Sequence, residues 1–309
     1  METRRIGSLE VSLVGLGCNN FGMRIDEDES REVVKAALDA GITLFDTADI
    51  YGGTRSEEFL GRALDGKRDD LVIATKFGAP VGEGLAGAKP EYVTTACEAS
   101  LRRLGADHID LYQLHMPDDT TPIADTLGTL DALVQAGKVR EIGCSNFDGA
   151  RIDAADSTAG ERGSARFVSV QNQLNLLDRR SERDLLDAAA RHDLGILPYF
   201  PLASGMLTGK YRRDAPPTEG TRLAAMPEDR RQRAMSDKAF DVVERLEAFA
   251  SELDRTLLEL AMSWLAGLPH MASVIAGATT PAQVHANGSA VGWTLTDTER
   301  AEIDELTHW

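Results

Sequence analysis

Cysteine is scarce in this sequence. Its 309 residues hold three, Cys18, Cys97 and Cys144, odd in number and far apart. They offer neither a disulfide framework nor metal-ligand spacing. A stapled secreted scaffold and a zinc module are therefore excluded, no metal is expected, and a reducing cytoplasm is the expected location. Basic residues are also a minority: 33 Lys and Arg face 50 Asp and Glu, for a formal charge of −17. Without a basic stripe, neither nucleic acid nor an anionic membrane is an expected partner. Long apolar runs are missing too. No stretch approaches the ~18 uninterrupted apolar residues of a membrane span, and the opening METRRIGSLEVS has no apolar signal region.

What is present is a repeating pattern. A short hairpin, Arg4 to Val11 with a turn at Gly7-Ser8, precedes eight apolar runs. They are Leu13 to Leu16, Thr43 to Asp46, Leu71 to Thr75, Ile109 to Leu114, Glu141 to Cys144, Phe167 to Gln171, Gly195 to Tyr199 and Ser273 to Ala276. Helical spacing predicts helices over Glu29 to Ala40, Ser56 to Leu64, Glu91 to Leu104, Thr121 to Ala136, Ser181 to His192 and Asp237 to Leu253, several with a glycine stop. Apolar rather than alternating strands between helices argue for a parallel sheet covered on both faces. Eight βα units in a chain of this length predict one domain, residues 1–309, folded as a (β/α)8 TIM barrel with an N-terminal β-hairpin and a long loop, Ala203 to Ala234, after strand 7. An open doubly wound sheet is the second choice. Against it, no G-x-G-x-x-G follows a strand, and Gly15-Leu16-Gly17 lacks the third glycine.

In a barrel, chemistry gathers at the C-terminal ends of the strands. There the sequence places Asp46 and Tyr51, Lys76, His115, Ser145-Asn146, Gln171-Asn172 and Tyr199. Each alone has an ordinary structural use, as a turn cap, a packed loop aromatic or a core histidine. Together an acid, a phenol, a lysine and a histidine on one rim are costly if they only pack, since buried charges need partners. Their chemistry is proton transfer to a carbonyl oxygen. A phenol of pKa near ~10 is a poor acid near neutrality, and a neighbouring ammonium lowers that value. Tyr51 is thus the expected general acid, with Lys76, Asp46 and His115 as its supports. Gly52 and Gly53 are expected to fold the chain back after Tyr51, and Ser56-Glu57-Glu58 to cap the next helix.

The segments FDTADIYGGTRSEEFLGRAL, VIATKFG, DHIDLYQLHMPD, GKVREIGCSNF, VQNQLNLLDR, PYFPLASGMLTGKY and SVIAGATTPAQVHAN resemble the aldo-keto reductase superfamily over nearly the whole chain. The resemblance implies a (β/α)8 barrel with a hairpin closing its bottom and a catalytic tetrad of Asp46, Tyr51, Lys76 and His115. It implies NADPH bound without a Rossmann fold. Ser145, Asn146 and Gln171 would hold its carboxamide, Tyr199 would stack on its ring, Leu202 and Ser204 would line its pyrophosphate, and Gly277, Thr279, Gln283 and Asn287 would meet its adenosine end.

The sequence departs from relatives committed to NADPH in having no Arg or Lys in AGATTPAQVHAN. Lys210, Arg212 and Arg213 of the long loop are candidate replacements, and NADH is an open second carrier. Phe200 stands where relatives often carry Ser. Specificity is expected from the loops Met116 to Thr121 and Ala203 to Ala234, with Phe21, Met23, Trp293 and Trp309 as apolar contributors, while Trp264 is expected in the core. The leading expectation is reduction of a small-molecule aldehyde or ketone by a monomer or weak homo-oligomer. The alternatives are a cofactor-binding regulatory subunit with little turnover, and a barrel lyase or isomerase using Lys76 as a Schiff-base amine.

Overall fold

A computed structural model describes residues 1–308; Trp309 lies outside the described residues. Strands β1 (Thr3–Ile6) and β2 (Leu9–Ser12) form an antiparallel hairpin through a turn at Gly7. Eight parallel strands follow: β3 (Val14–Gly17), β4 (Leu44–Asp46), β5 (Val72–Phe77), β6 (Ile109–Leu114), β7 (Val139–Ser145), β8 (Phe167–Gln171), β9 (Gly195–Ile196) and β10 (Val274–Gly277). From β3 to β9 each pairs with the next in the chain, and β10 returns to pair with β3. The remaining edge closes through main-chain bonds: Ile196 N–H to the His270 carbonyl at 2.8 Å, Ala272 N–H to the Ile196 carbonyl at 3.0 Å, and Ile275 N–H to the Pro198 carbonyl at 3.2 Å. The result is the (β/α)8 barrel, curled and closed, with all eight expected strands in place.

Two cores hold it. Between the sheet and the helices runs a continuous apolar layer that includes Val33, Leu60, Leu127 and Leu260. Inside the barrel, Leu44, Val72, Ala74, Leu111, Leu197 and Ile275 pack on Ile6, Leu9 and Val11 of the hairpin. The hairpin therefore plugs the bottom of the lumen. Arg4 pins it there by donating to the carbonyls of Ala266 and Met271 at 2.8 and 2.7 Å. Chemistry is left the opposite, C-terminal end.

The helices are α1 (Glu27–Asp39), α2 (Arg55–Ala63), α3 (Pro90–Leu104), α4 (Ile123–Gln135), α5 (Gly149–Arg162), α6 (Glu182–His192), α7 (Glu228–Ala234), α8 (Asp237–Glu252), α9 (Leu257–Ala266), α10 (Pro281–Ser289) and α11 (Asp297–Thr307). Five of them, α5, α7, α9, α10 and α11, are not among those the periodicity predicts. The buried face of α5 is built from Gly149, Ile152, Ala155 and Ala159, too small a signal to read. Helix α9 is apolar all round because it is buried, so no stripe stands out. Helix α7 buries nothing.

The stretch from Ala203 to Ala234 is not irregular throughout, as the sequence suggested. It opens with a 3-10 turn at Ala203–Thr208 and ends in α7. Its middle is tied across the barrel mouth, where Arg24 donates to the Gly220 carbonyl at 2.6 Å. Among the described residues no helix is long and apolar enough to cross a membrane.

Candidate active site

Strands β4 and β5 deliver Asp46 and Lys76 side by side at the upper rim. Both are almost fully buried; Lys76 is 0% exposed and Asp46 3%. Lys76 Nζ lies 2.7 Å from each carboxylate oxygen of Asp46 and 2.9 Å from the Thr47 carbonyl. The same carboxylate accepts from Gln171 Nε2 at 2.8 Å and Gln113 Nε2 at 3.4 Å. A buried ion pair this well hydrogen-bonded keeps both charges despite the cost of desolvation.

Tyr51 follows β4 on a two-glycine turn, with Gly52 and Gly53 in the left-handed region at φ 61° and 64°. At Gly52 a side chain is barred outright, since its Cβ would lie 2.3 Å from the Phe21 carbonyl oxygen. Lys76 Nζ sits 5.2 Å from the Tyr51 ring centroid. On the other side the His115 ring meets Tyr51 edge-on, centroids 5.8 Å apart. The four residues that the sequence singles out thus converge on one spot.

The protonation pattern corrects one expectation. Burial pushes the Tyr51 hydroxyl above its ordinary range; Lys76 opposes this, but Asp46 offsets part of the ammonium's pull. The phenol is a held proton rather than a poised phenolate. Burial alone would discharge Lys76, yet Asp46 and Tyr51 outweigh it and hold its pKa above that of free lysine. A Schiff-base role needs the free amine and fits poorly. Burial and then Lys76 drive His115 down to about 3, so its ring is neutral.

A second expectation fails at the helix start. Ser56 does not cap α2: the cap position is Thr54 with φ 77°, and Ser56 Oγ lies inward, 2.8 Å from Thr47 Oγ1 and 2.9 Å from the Cys18 carbonyl. Glu57 is not a surface acid but fully buried.

A cleft of about 890 Å³ opens over this rim. Asp46, Tyr51, His115, Ser145, Asn146, Gln171, Tyr199, Leu202, Ser204, Gly277, Thr279, Gln283 and Asn287 all line it. Ser145 ends β7 and Asn146 follows it. Ser145 Oγ donates to the Gln171 carbonyl at 2.7 Å. Asn146, at φ 61°, donates to the His115 carbonyl at 2.9 Å and accepts from Tyr199 OH at 2.8 Å. Gln171 turns its amide N–H₂ to Asp46.

Two further features bear on what the cleft can hold. Asn20 Oδ1 and His115 Nδ1 are buried with no partner among the described residues, and both residues line the cleft. Ala203, Ser204 and Gly205 run consecutively in the left-handed region, a strained curl of backbone at the cleft wall. Polar amides at one end, an aromatic face, cations and open polar atoms fit an elongated nucleotide that carries an amide and phosphates.

The cations differ from those expected. Lys210 lines the cleft, but Arg212 pairs with Glu247 and Arg213 with Asp241 and Glu244, all outside it. The sequence missed Arg24 and Arg222, which do line it. Arg222 has no carboxylate within 4.0 Å among the described residues and stacks 4.6 Å over the Phe200 ring. Only its position in the loop, not its pattern, could have marked it.

Of the apolar contributors, Met23 reaches the cleft, as does Met116 from the expected specificity loop; they are 62% and 48% exposed. Phe21 is fully buried in the outer core. Trp293 stacks on Phe249, away from the cleft. Trp309 lies outside the described residues, and Trp264 is in the core as expected.

Comparison with known proteins supports the same conclusion. The sequence profile of the Aldo/keto reductase family matches residues 13–308. The chain is 33% identical over 307 residues to the aldo-keto reductase YhdN of Bacillus subtilis, covering 96% of this chain and 90% of that protein. It is 32% identical over 300 residues to a probable voltage-gated potassium channel subunit beta of Arabidopsis thaliana, covering 94% and 91%. Among solved structures, a glycerol dehydrogenase from Gluconobacter oxydans aligns with a TM-score of 0.84 at 33% identity, over 98% of this chain and 94% of that one. The chain belongs to the Aldo/keto reductase family, and with it to the oxidoreductases that use a nicotinamide cofactor.

Proposed function

We propose that this protein reduces an aldehyde or ketone with NADPH, Tyr51 giving the proton to the substrate oxygen. The observation that carries the reading is the Lys76 ammonium, held by both oxygens of Asp46 beneath the Tyr51 ring. When bound, the reduced nicotinamide supplies the hydride. The chain does the rest. Asp46 keeps Lys76 charged, and Lys76 stabilises the Tyr51 oxygen as its proton leaves. His115, neutral at working pH, can donate a hydrogen bond to the same substrate oxygen and so orient the carbonyl.

Asn146, Ser145 and Gln171 are the groups we assign to the cofactor amide, and Tyr199 to its ring face. Leu202, Ser204, Lys210 and Arg222 would hold the phosphates. Gly277, Thr279, Gln283 and Asn287 would hold the adenosine end. Charge-assisted contacts from Lys210 and Arg222 favour a phosphate-rich carrier. With no Lys or Arg between residues 277 and 287, NADH remains a substrate of lower rank rather than an excluded one. We place the protein in a reducing cytoplasm, its three thiols buried, as a monomer or weak homo-oligomer.

The test is consumption of NADPH and of NADH against aromatic aldehydes, quinones, dicarbonyls and sugar or steroid ketones. Turnover, faster with NADPH, is expected. The kinship with a probable channel β subunit favours a second reading, a cofactor-binding regulatory subunit. Tight NADPH binding without turnover on any carbonyl would select it.

A further inference from the structure

Behind the Tyr51 turn lies a buried polar cluster that the proposed reaction does not use. Asp49, two residues before Tyr51, is 2% exposed, and Glu57 on α2 is 0% exposed. Glu57 has good partners: it accepts from Thr75 Oγ1 at 2.6 Å and from Arg103 Nε at 2.6 Å. Asp49 is held less well. Its Oδ2 accepts one long bond from Tyr92 OH at 3.3 Å, its Oδ1 lacks a partner within hydrogen-bonding geometry, and the Ile50 N–H gives it only minor support. Tyr112 on β6, also facing the cluster, has an unpartnered buried hydroxyl. The titratable groups around Asp49 are thus Glu57 from α2, Arg103, Tyr92 and Cys97 from α3, and Tyr112 from β6. Two buried carboxyls face one guanidinium, and that guanidinium is already paired with Glu57. A carboxylate at Asp49 would be a poorly compensated buried charge: burial and Glu57 outweigh the help of Arg103, Tyr92 OH and the Ile50 N–H.

Asp49 is also tied to the proposed catalytic strand. Its N–H donates to the carbonyl of Lys76 at 3.1 Å, and Tyr51 N–H then closes the turn on Ala48. The turn that carries Tyr51 is thus anchored to the Lys76 strand through the Asp49 main chain.

We infer that Asp49 is a positioning residue of this site, acting as a neutral carboxyl that seats the Tyr51 turn against the Lys76 strand and loosens it on losing its proton. The inference rests on the reading of Tyr51 as general acid. Burial, and then Glu57, raise Asp49 to about 7, within the working range of an enzyme. Tyr51, Lys76 and His115 do not titrate there: Tyr51 and Lys76 lie above their ordinary values and His115 falls to about 3. A group raised above its unfolded value near ~4 holds an extra proton in the folded state between the two values. Its contribution to stability therefore declines as pH rises from about 4 to about 7, and is constant above that.

The experiment compares the full chain with Asp49→Asn, an isosteric neutral mimic, from pH 5 to 9. Three quantities are read: kcat, Tm, and hydrogen exchange of residues 46–56 corrected for intrinsic rates. Wild-type kcat should fall about tenfold from pH 6 to 8.5, and the Asn variant should lose that limb. The Tm of the variant relative to wild type should rise by roughly 4 °C between pH 5 and 8. Protection of 46–56 should drop above pH 7 in wild type alone. Parallel pH profiles with a constant Tm difference would overturn the inference. Should the Asn variant not fold, Tyr92→Phe removes the hydroxyl that restrains Asp49, and the limb should move to higher pH; an unmoved limb overturns it equally. Near-wild-type turnover in Tyr51→Phe would instead sink the general-acid reading, and the Tm and exchange data would still decide the case of Asp49.

Discussion

Lys76 Nζ is 2.7 Å from both carboxylate oxygens of Asp46; the lysine side chain is fully buried and the aspartate shows only a sliver to the cleft. Two roles meet in this pair. The carboxylate makes a buried ammonium tolerable, and in the proposed mechanism the ammonium would give the Tyr51 oxygen a partner as its proton departs. Removing one partner should therefore damage stability and rate together. Asp46→Asn is expected to destabilise by about 3–5 kcal/mol, the cost of an orphaned buried charge. The double variant Asp46→Asn with Lys76→Met should regain much of that stability and none of the activity. Denaturant titration beside kcat measures both.

His115 gives a pH prediction with a definite sign. Its folded value, about 3, lies below the ordinary histidine value, so the unfolded chain binds the extra proton between the two. The stability it contributes is fully present above about pH 6.5 and is lost as pH falls toward 3. His115→Gln should flatten that acid limb, by an amount on the order of 3–5 kcal/mol for a shift of this size. Unfolding midpoints between pH 3 and 7 test this.

The turn that presents Tyr51 separates its two glycines. Both have positive φ, but a methyl at Gly53 meets nothing within 4 Å, whereas at Gly52 it would strike the Phe21 carbonyl. Gly53→Ala is expected to cost about 1 kcal/mol and leave kcat nearly intact. Gly52→Ala should cost more and also lower kcat, because the turn must open. Equal effects at the two positions would contradict the geometry.

Lys210 and Arg222 line the cleft without a carboxylate partner among the described residues. Charge-assisted hydrogen bonds are worth about 1.5–3 kcal/mol, so Lys210→Met or Arg222→Met should raise the Kd for NADPH at least about tenfold. The effect should shrink at high salt. Arg212→Met, whose side chain pairs with Glu247 instead, should leave the Kd unchanged. Cofactor fluorescence titration distinguishes them.

The strands and the convergence of Asp46, Tyr51, Lys76 and His115 at one rim were legible because both obey local rules. A parallel strand buried on two faces must be apolar, so a polar residue at its end, such as Lys76 or Asp46, stands out. Helices α5 and α9 were illegible for opposite reasons: one packs on alanines, and the other has no polar face to set a period. The inward turn of Ser56 and the burial of Glu57 follow from Cys18, Thr75 and Arg103, which lie far away in sequence. Tyr51 shows the same limit in its electrostatics. The pairing of Asp46 with Lys76 was expected, and adjacency to that lysine suggests a lowered pKa, but only the structure reveals that burial prevails.

The most direct test of the central claim is turnover by wild type and Tyr51→Phe with saturating NADPH and one accepted carbonyl, alongside the Kd for NADPH. The proposed mechanism predicts an unchanged Kd and a kcat reduced by at least about a hundredfold in Tyr51→Phe, the usual worth of a positioned general acid. A Tyr51→Phe enzyme that binds NADPH and turns over within a few-fold of wild type would contradict it.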